Sequence, residues 1–256
     1  MTHDGPDGTV GDDAPAAAGT LPRPAYAERP GALRVAWLVF EIVVLYLAVP
    51  FVLLHLILAY KLPLFTVLPP MLIAFVAILA FDRGFSLRKE LAGGLRLWHL
   101  LAILLTFLLL GGAVAYAVSQ LMPRQFLDMA TNRPEVWKRV MLLYPLMSVL
   151  PQEIAYRTFF FHRYGPLFTG HRWALILING LLFGFGHMLF ANWIAVGGTM
   201  VTGMLFAWRY ERTRSFWAVM VEHTLWGWLV FTVGLGGFFF TGIAFQGDFS
   251  LHWIRK

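Results

Sequence analysis

From position 33 onward the chain alternates long apolar runs with short polar stretches. The runs cover 33–60, 64–81, 97–121, 140–161, 173–190, 193–208 and 215–240. A helix that crosses a bilayer takes about 20 apolar residues. The pattern predicts an all-α fold, a polytopic membrane helical bundle of about seven to eight transmembrane helices. Pro50, and the pair Pro69 and Pro70, predict kinks, because a proline frees a carbonyl that neighbouring groups must satisfy. The stretch 123–139 reads as a surface loop or interfacial helix. Residues 1–30, rich in Gly, Pro, Ala and Asp, read as a disordered N-terminal tail. That leaves 31–256 as an integral membrane helical domain. The first apolar run starts too late and is too long for a secretory signal.

Composition agrees with the pattern. Hydrophobic residues make up 59% of the 256 positions and charged residues 13%, with a mean hydropathy of +0.67. Soluble domains hold about 45–50% apolar and about 25% charged residues, so a water-soluble monomer is excluded as the reading. The chain has no Cys. Disulfides, thiolate-bound zinc, iron–sulfur clusters and thiol nucleophiles are excluded with it. The net charge of +6 comes from basic residues placed between apolar runs. Their distribution points to membrane topology with a cytoplasmic N-terminus, and not to nucleic acid; the expected location is a bacterial cytoplasmic membrane.

Ionisable side chains inside apolar runs carry the functional signal, since each costs several kcal/mol unless paired or wet. Glu41, His55 and His99 lie near run ends and read as structural. Glu153 and Arg157 stand i, i+4 on one helix and can touch, either as a self-neutralising ion pair or as a carboxylate tuned beside a wet cavity. In the next run Asn179, Phe183 and His187 share a face, and Gly180, Gly184 and Gly186 admit a close neighbour. A later run carries Glu222 and His223. Glu153/Arg157, His187 and His223 thus converge from separate helices like a site. Counting rise from the helix starts leaves His187 deeper than the other two by about 10 Å.

A glutamate and two histidines suit hydrolysis of a carbonyl, most plausibly a peptide bond. They hold a zinc ion with an open position for water, through Glu153, His187 and His223, or they activate water without metal. The zinc motif His-Glu-x-x-His and the nucleophile elbow Gly-x-Ser-x-Gly are both absent. The expected partners are the lipid bilayer and a peptide or protein substrate, with no nucleic acid. Two facing histidines also suit haem, and intramembrane charges suit a transporter, although no repeated halves are visible. A noncatalytic scaffold is the remaining alternative.

The order of these motifs resembles the CPBP intramembrane protease family, which includes the type II CAAX prenyl endopeptidases and bacteriocin-processing or immunity proteins. Its usual pattern is Glu-Glu-x-x-x-Arg, then Phe-x-x-x-His, then His-x-x-x-Asn or a similar residue, on successive membrane helices. Here the motifs read Gln152-Glu153-Ile154-Ala155-Tyr156-Arg157, Phe183-Gly184-Phe185-Gly186-His187 and His223-Thr224-Leu225-Trp226-Gly227. The resemblance covers about residues 140–230. It implies an intramembrane endopeptidase acting on membrane-associated or prenyl-like protein substrates. Glu153 would deprotonate water, and His187 and His223 would position it, bind any metal and stabilise the oxyanion. Arg157 would tune Glu153 or hold a substrate carboxylate, and Gln152 would orient water or substrate. Two positions depart from the pattern. Gln152 replaces the first Glu, and an amide cannot take a proton from water. Gly227 replaces the last polar residue. The chain is therefore either a branch organised around Glu153 or a catalytically silent relative.

Overall fold

The computed structural model describes residues 30–60 and 67–239. Tail residues 1–29, the start of the second apolar run at 64 and the end of the last at 240 lie outside the described residues. Among the described residues every regular element is a helix. They are α1 (Ala32–Tyr60), α2 (Leu68–Phe81), α3 (Leu87–Ala92), α4 (Leu97–Leu121), α5 (Asp128–Asn132), α6 (134–164), α7 (Arg172–Gly186), α8 (Trp193–Thr213) and α9 (Phe216–Thr232). The described part of each expected apolar run lies within a helix or its flanking turns. Among the described residues three stretches are long and apolar enough to cross a membrane by themselves: Ala32–Tyr60, Leu97–Leu121 and Arg172–Phe190.

The prolines act in two ways. Pro50 follows a wide turn at Val44–Ala48, where hydrogen bonding passes from i→i+4 to i→i+5 and back within α1. Pro69 and Pro70 do not kink a helix. They sit in the first turn of α2, where a missing N–H is one of the unpaired donors in any case. The stretch 123–139, expected as a surface loop or interfacial helix, is partly helical, and Pro134 starts α6 in the same way. That helix runs to Tyr164 through two further wide turns, Pro145–Val149 and Ile154–Phe159.

Close approach of backbones sets the central packing. A Cβ on Gly180 would stand 2.3 Å from Met204 Cγ and 2.7 Å from Met204 N. One on Gly184 would stand 2.1 Å from Met200 Cγ and 2.8 Å from Met200 N. Only glycine lets α7 and α8 meet this closely, and dispersion between the two backbones is the gain. Around this pair lies an aromatic core with Tyr46, Phe159, Phe160, Tyr164, Phe183 and Phe206 all buried. Tyr46 donates a hydrogen bond to the carbonyl of Ala155 at 2.7 Å, tying α1 to the second wide turn of α6. By contrast Leu108 and Leu109 of α4 are 68% and 65% exposed. Such surface is stable against acyl chains and not against water.

Two of the charges expected inside apolar runs are paired for structure. Glu41 binds Arg163 through two hydrogen bonds, joining α1 to α6. Glu222 receives two hydrogen bonds of 2.9 Å from Arg209. Bidentate geometry of this kind satisfies both carboxylate oxygens. His55 is exposed and His99 lies in the first turn of α4. The short helix α3 is strapped to the core from outside. Its Glu90 accepts from Tyr210 at 2.5 Å and Thr158 at 3.2 Å, while Ser215 donates to the Gly93 carbonyl at 3.0 Å.

Candidate active site

The four polar groups picked out on α6, α7 and α9 do not all face the same space. Glu153 and Arg157 are fully buried. His223 is buried as well. Its Nδ1 lies 2.7 Å from Glu153 Oε1, so the imidazole N–H donates to the carboxylate. That leaves Nε2 as an acceptor, and Tyr144 donates to it at 3.2 Å. On the far side of Glu153, Arg157 Nε stands 3.5 Å from Oε2. Arg157 in turn donates to Asn179 Oδ1 at 2.7 Å, and Asn179 donates to the Tyr156 carbonyl at 2.7 Å. One chain of polar contacts thus runs Tyr144, His223, Glu153, Arg157, Asn179 through a core that is otherwise aromatic.

Rings hold this chain in place. The Arg157 guanidinium lies over Phe183 at 4.8 Å and Phe206 at 5.7 Å, and the His223 ring stacks on Phe206 at 4.8 Å. Cation–π contact stabilises a desolvated guanidinium by up to about 2 kcal/mol, a partial offset for burying it.

A cavity of about 540 Å³ opens between α6, α7, α8 and α9. Its polar lining includes Arg139, Tyr144, Ser148, Gln152, His187 and His223; most of the rest is apolar. His187 starts the turn His187–Phe190 that follows α7, and its Nδ1 donates to the Phe183 carbonyl at 2.8 Å. Its Nε2 is therefore an acceptor. Phe183 lies between the two imidazoles, 4.6 Å from His187 and 5.6 Å from His223. The depth offset expected from helix starts does not separate them, since both line one cavity.

Three expected roles change. Glu153 does not line the cavity; it stands behind His223. Adjacent helix residues point about 100° apart, so Gln152 takes the cavity face that Glu153 cannot reach. Arg157, with no exposed surface, cannot hold a substrate carboxylate. The expected zinc set Glu153, His187 and His223 is not assembled either. Both His223 nitrogens are engaged, one Glu153 oxygen faces Arg157, and among the described residues no three His, Cys, Asp or Glu side chains are grouped to hold a metal ion. This arrangement does not fit zinc, and no step is derived through it.

Gln152 donates to Ser148 at 2.9 Å, and its Oε1 has no hydrogen-bond partner among the described residues. Tyr144 is the main group that sequence reasoning missed. It precedes Glu153 by nine residues, which on an unbroken α-helix at about 100° per residue would set the two on opposite faces. The wide turn Pro145–Val149 absorbs an extra residue and brings them to about 80° apart. The proline that opens that turn was the available signal.

Residues 134–229 match the family model described as type II CAAX prenyl endopeptidase Rce1-like. The matched segment, under half of the chain, is similar to an Rce1-like domain. It begins with α6 and ends within α9, so Tyr144, Gln152, Glu153, Arg157, His187 and His223 all fall inside it. No curated protein and no solved structure matches the chain. The Rce1-like family is a protease family of membranes, and with three helices able to cross a bilayer the protein is an integral membrane protein. The haem and transport alternatives gain nothing from this match.

Proposed function

We propose that the Rce1-like domain is an intramembrane endopeptidase that hydrolyses a peptide bond in membrane-associated or prenyl-like protein substrates. The observation that carries this reading is the Glu153–His223 pair set into the wall of an apolar cavity. A carboxylate behind an imidazole fixes its tautomer and stabilises the imidazolium formed when it accepts a proton. His223 Nε2 is the base that takes a proton from water, and Glu153 acts through it. Arg157 sets a positive charge 3.5 Å from the other carboxylate oxygen. Gln152 borders the same cavity, and its amide orients water or substrate. His187 Nε2 faces the same cavity and steadies the water or the leaving amine. Apolar walls receive the lipid-like or apolar part of a substrate, and a carboxylate on it meets Arg139 on the cavity lining in place of the buried Arg157. Water exclusion strengthens each of these interactions.

The test is cleavage of a mixed membrane-peptide library in liposomes by wild type, His223→Ala and His187→Ala. Cleavage by wild type that disappears in His223→Ala supports the assignment. Folded wild type that cleaves nothing, or undiminished cleavage by His223→Ala, overturns it in favour of a silent scaffold or another site.

A further inference from the structure

Tyr144 and Gly227 fit each other in a way that neither helix requires. A Cβ built on Gly227 would lie 2.0 Å from Tyr144 Cε1, 2.3 Å from Cζ and 2.5 Å from the hydroxyl oxygen. Any side chain at 227 would evict the tyrosine ring. Without one, the ring of α6 lies against α9, edge-on to Phe231 with centroids 5.5 Å apart. Its hydroxyl ends 3.2 Å from His223 Nε2, on the cavity lining. A tyrosine whose ring only filled space would not need its oxygen on that nitrogen. The wide turn that follows at Pro145–Val149 rotates the ring into this place.

We propose that Tyr144 is a further catalytic group of this site, resting on the peptidase reading above: its hydroxyl, admitted by the bare backbone at Gly227, donates to the oxyanion of the scissile carbonyl. In the resting site the O–H caps His223 Nε2. When water takes that nitrogen, a rotation of the hydroxyl hydrogen alone turns the donor toward the substrate carbonyl. Water then loses a proton to His223 Nε2 as its oxygen bonds to the carbonyl carbon. The carbonyl π pair moves onto oxygen, where Tyr144 donates to it. Collapse of the tetrahedral centre re-forms C=O and breaks C–N, and His223 returns the proton to the departing nitrogen. The phenol stays protonated throughout, so the cycle needs no further reactant. A hydrogen-bond donor aimed where charge develops acts on the transition state more than on bound substrate.

The experiment measures steady-state hydrolysis, in liposomes, of a peptide cleaved by wild type, for Tyr144→Phe, Gly227→Ala and His223→Ala. Folding is checked by thermal unfolding, and the His223 ring nitrogens are followed by NMR of protein labelled with ¹⁵N-histidine. Tyr144→Phe removes one oxygen and keeps the ring. It is expected to lower kcat by about 10²–10³-fold with little change in KM, and to move the Nε2 signal. Gly227→Ala is expected to show the same loss, because its methyl displaces the ring. Tyr144→Phe with near wild-type kcat, while His223→Ala is inactive, overturns the role of Tyr144 and leaves the peptidase reading standing. Retained hydrolysis in His223→Ala overturns the peptidase reading itself, and the Tyr144 role with it.

Discussion

His223 Nδ1 and Glu153 Oε1 meet at 2.7 Å across 70 positions of chain, and the carboxylate has no exposed surface of its own. The pair divides the work of a general base between a reacting ring and a buried orienter. Glu153→Gln keeps an oxygen able to accept from Nδ1 but loses the charge that stabilises an imidazolium. Hydrolysis by that variant is expected to fall by about 10⁴-fold, as when the acid of such a pair becomes an amide elsewhere. Single-turnover rates in liposomes measure it. A rate within tenfold of wild type, roughly 1.4 kcal/mol, would show that the charge on Glu153 does not reach the transition state.

Gly180→Ala and Gly184→Ala test the seam between α7 and α8. Each new methyl would meet backbone as well as a flexible methionine, at 2.7 Å from Met204 N or 2.8 Å from Met200 N. Backbone cannot rotate away, so the helices must part. Each variant is expected to lose more than the usual about 1–3 kcal/mol of an overpacked core. Thermal unfolding in detergent reads the loss directly. Unchanged midpoints would mean that the seam is looser than these distances require.

Chelation separates two routes to hydrolysis. Every nitrogen of His223 has a protein partner and Glu153 is shared between His223 and Arg157. Treatment of purified protein with a strong chelator is therefore expected to leave the cleavage rate unchanged. Loss of cleavage that is restored by added zinc, and not by magnesium, would show that the site reorganises around a metal.

Much of the bundle was legible because lipid imposes one simple rule: apolar runs of sufficient length become helices. Positions 33–60, 97–121 and 173–190 behaved that way almost to the residue. The residue types of the site were legible for the same reason, since Glu153, Arg157, His187 and His223 are costly where they stand. Their division of labour was not. Whether a side chain faces a cavity or the core depends on rotation about the helix, and three wide turns reset that rotation in ways that a fixed period misses. Gly227 read as a lost polar residue because sequence shows what is absent and not what fills the space; the filler, Tyr144, lies on another helix.

The strap formed by α3 gives a pH dependence outside the bundle core. Burial raises the Glu90 carboxyl above its ordinary value of 4.5, against opposing hydrogen bonds from Tyr210 and Thr158. The folded protein therefore holds this proton more tightly than the unfolded chain. Stability from this group is full below about 4.5 and is lost as pH rises through the raised value. Glu90→Gln keeps an acceptor for Tyr210 and removes the titration. The variant is expected to have a flatter dependence of unfolding midpoint on pH than wild type across that window. Identical slopes would show that Glu90 titrates alike in both states.

Arg157 poses the converse problem, a cation that folding must neutralise. Removing its carboxylate leaves a fully buried guanidinium in contact with Asn179, the Gly203 carbonyl and two aromatic faces. Breaking one side of a buried pair costs about 3–5 kcal/mol, whereas replacing both sides with groups of similar shape is often nearly neutral. Glu153→Gln is thus expected to weaken folding as well as hydrolysis. The pair Glu153→Gln with Arg157→Met is expected to recover most of the unfolding midpoint while remaining inactive. Its stability separates loss of chemistry from loss of fold. A double variant no more stable than Glu153→Gln alone would mean that Arg157 draws its neutralisation from elsewhere, and that Glu153 does not hold it in place.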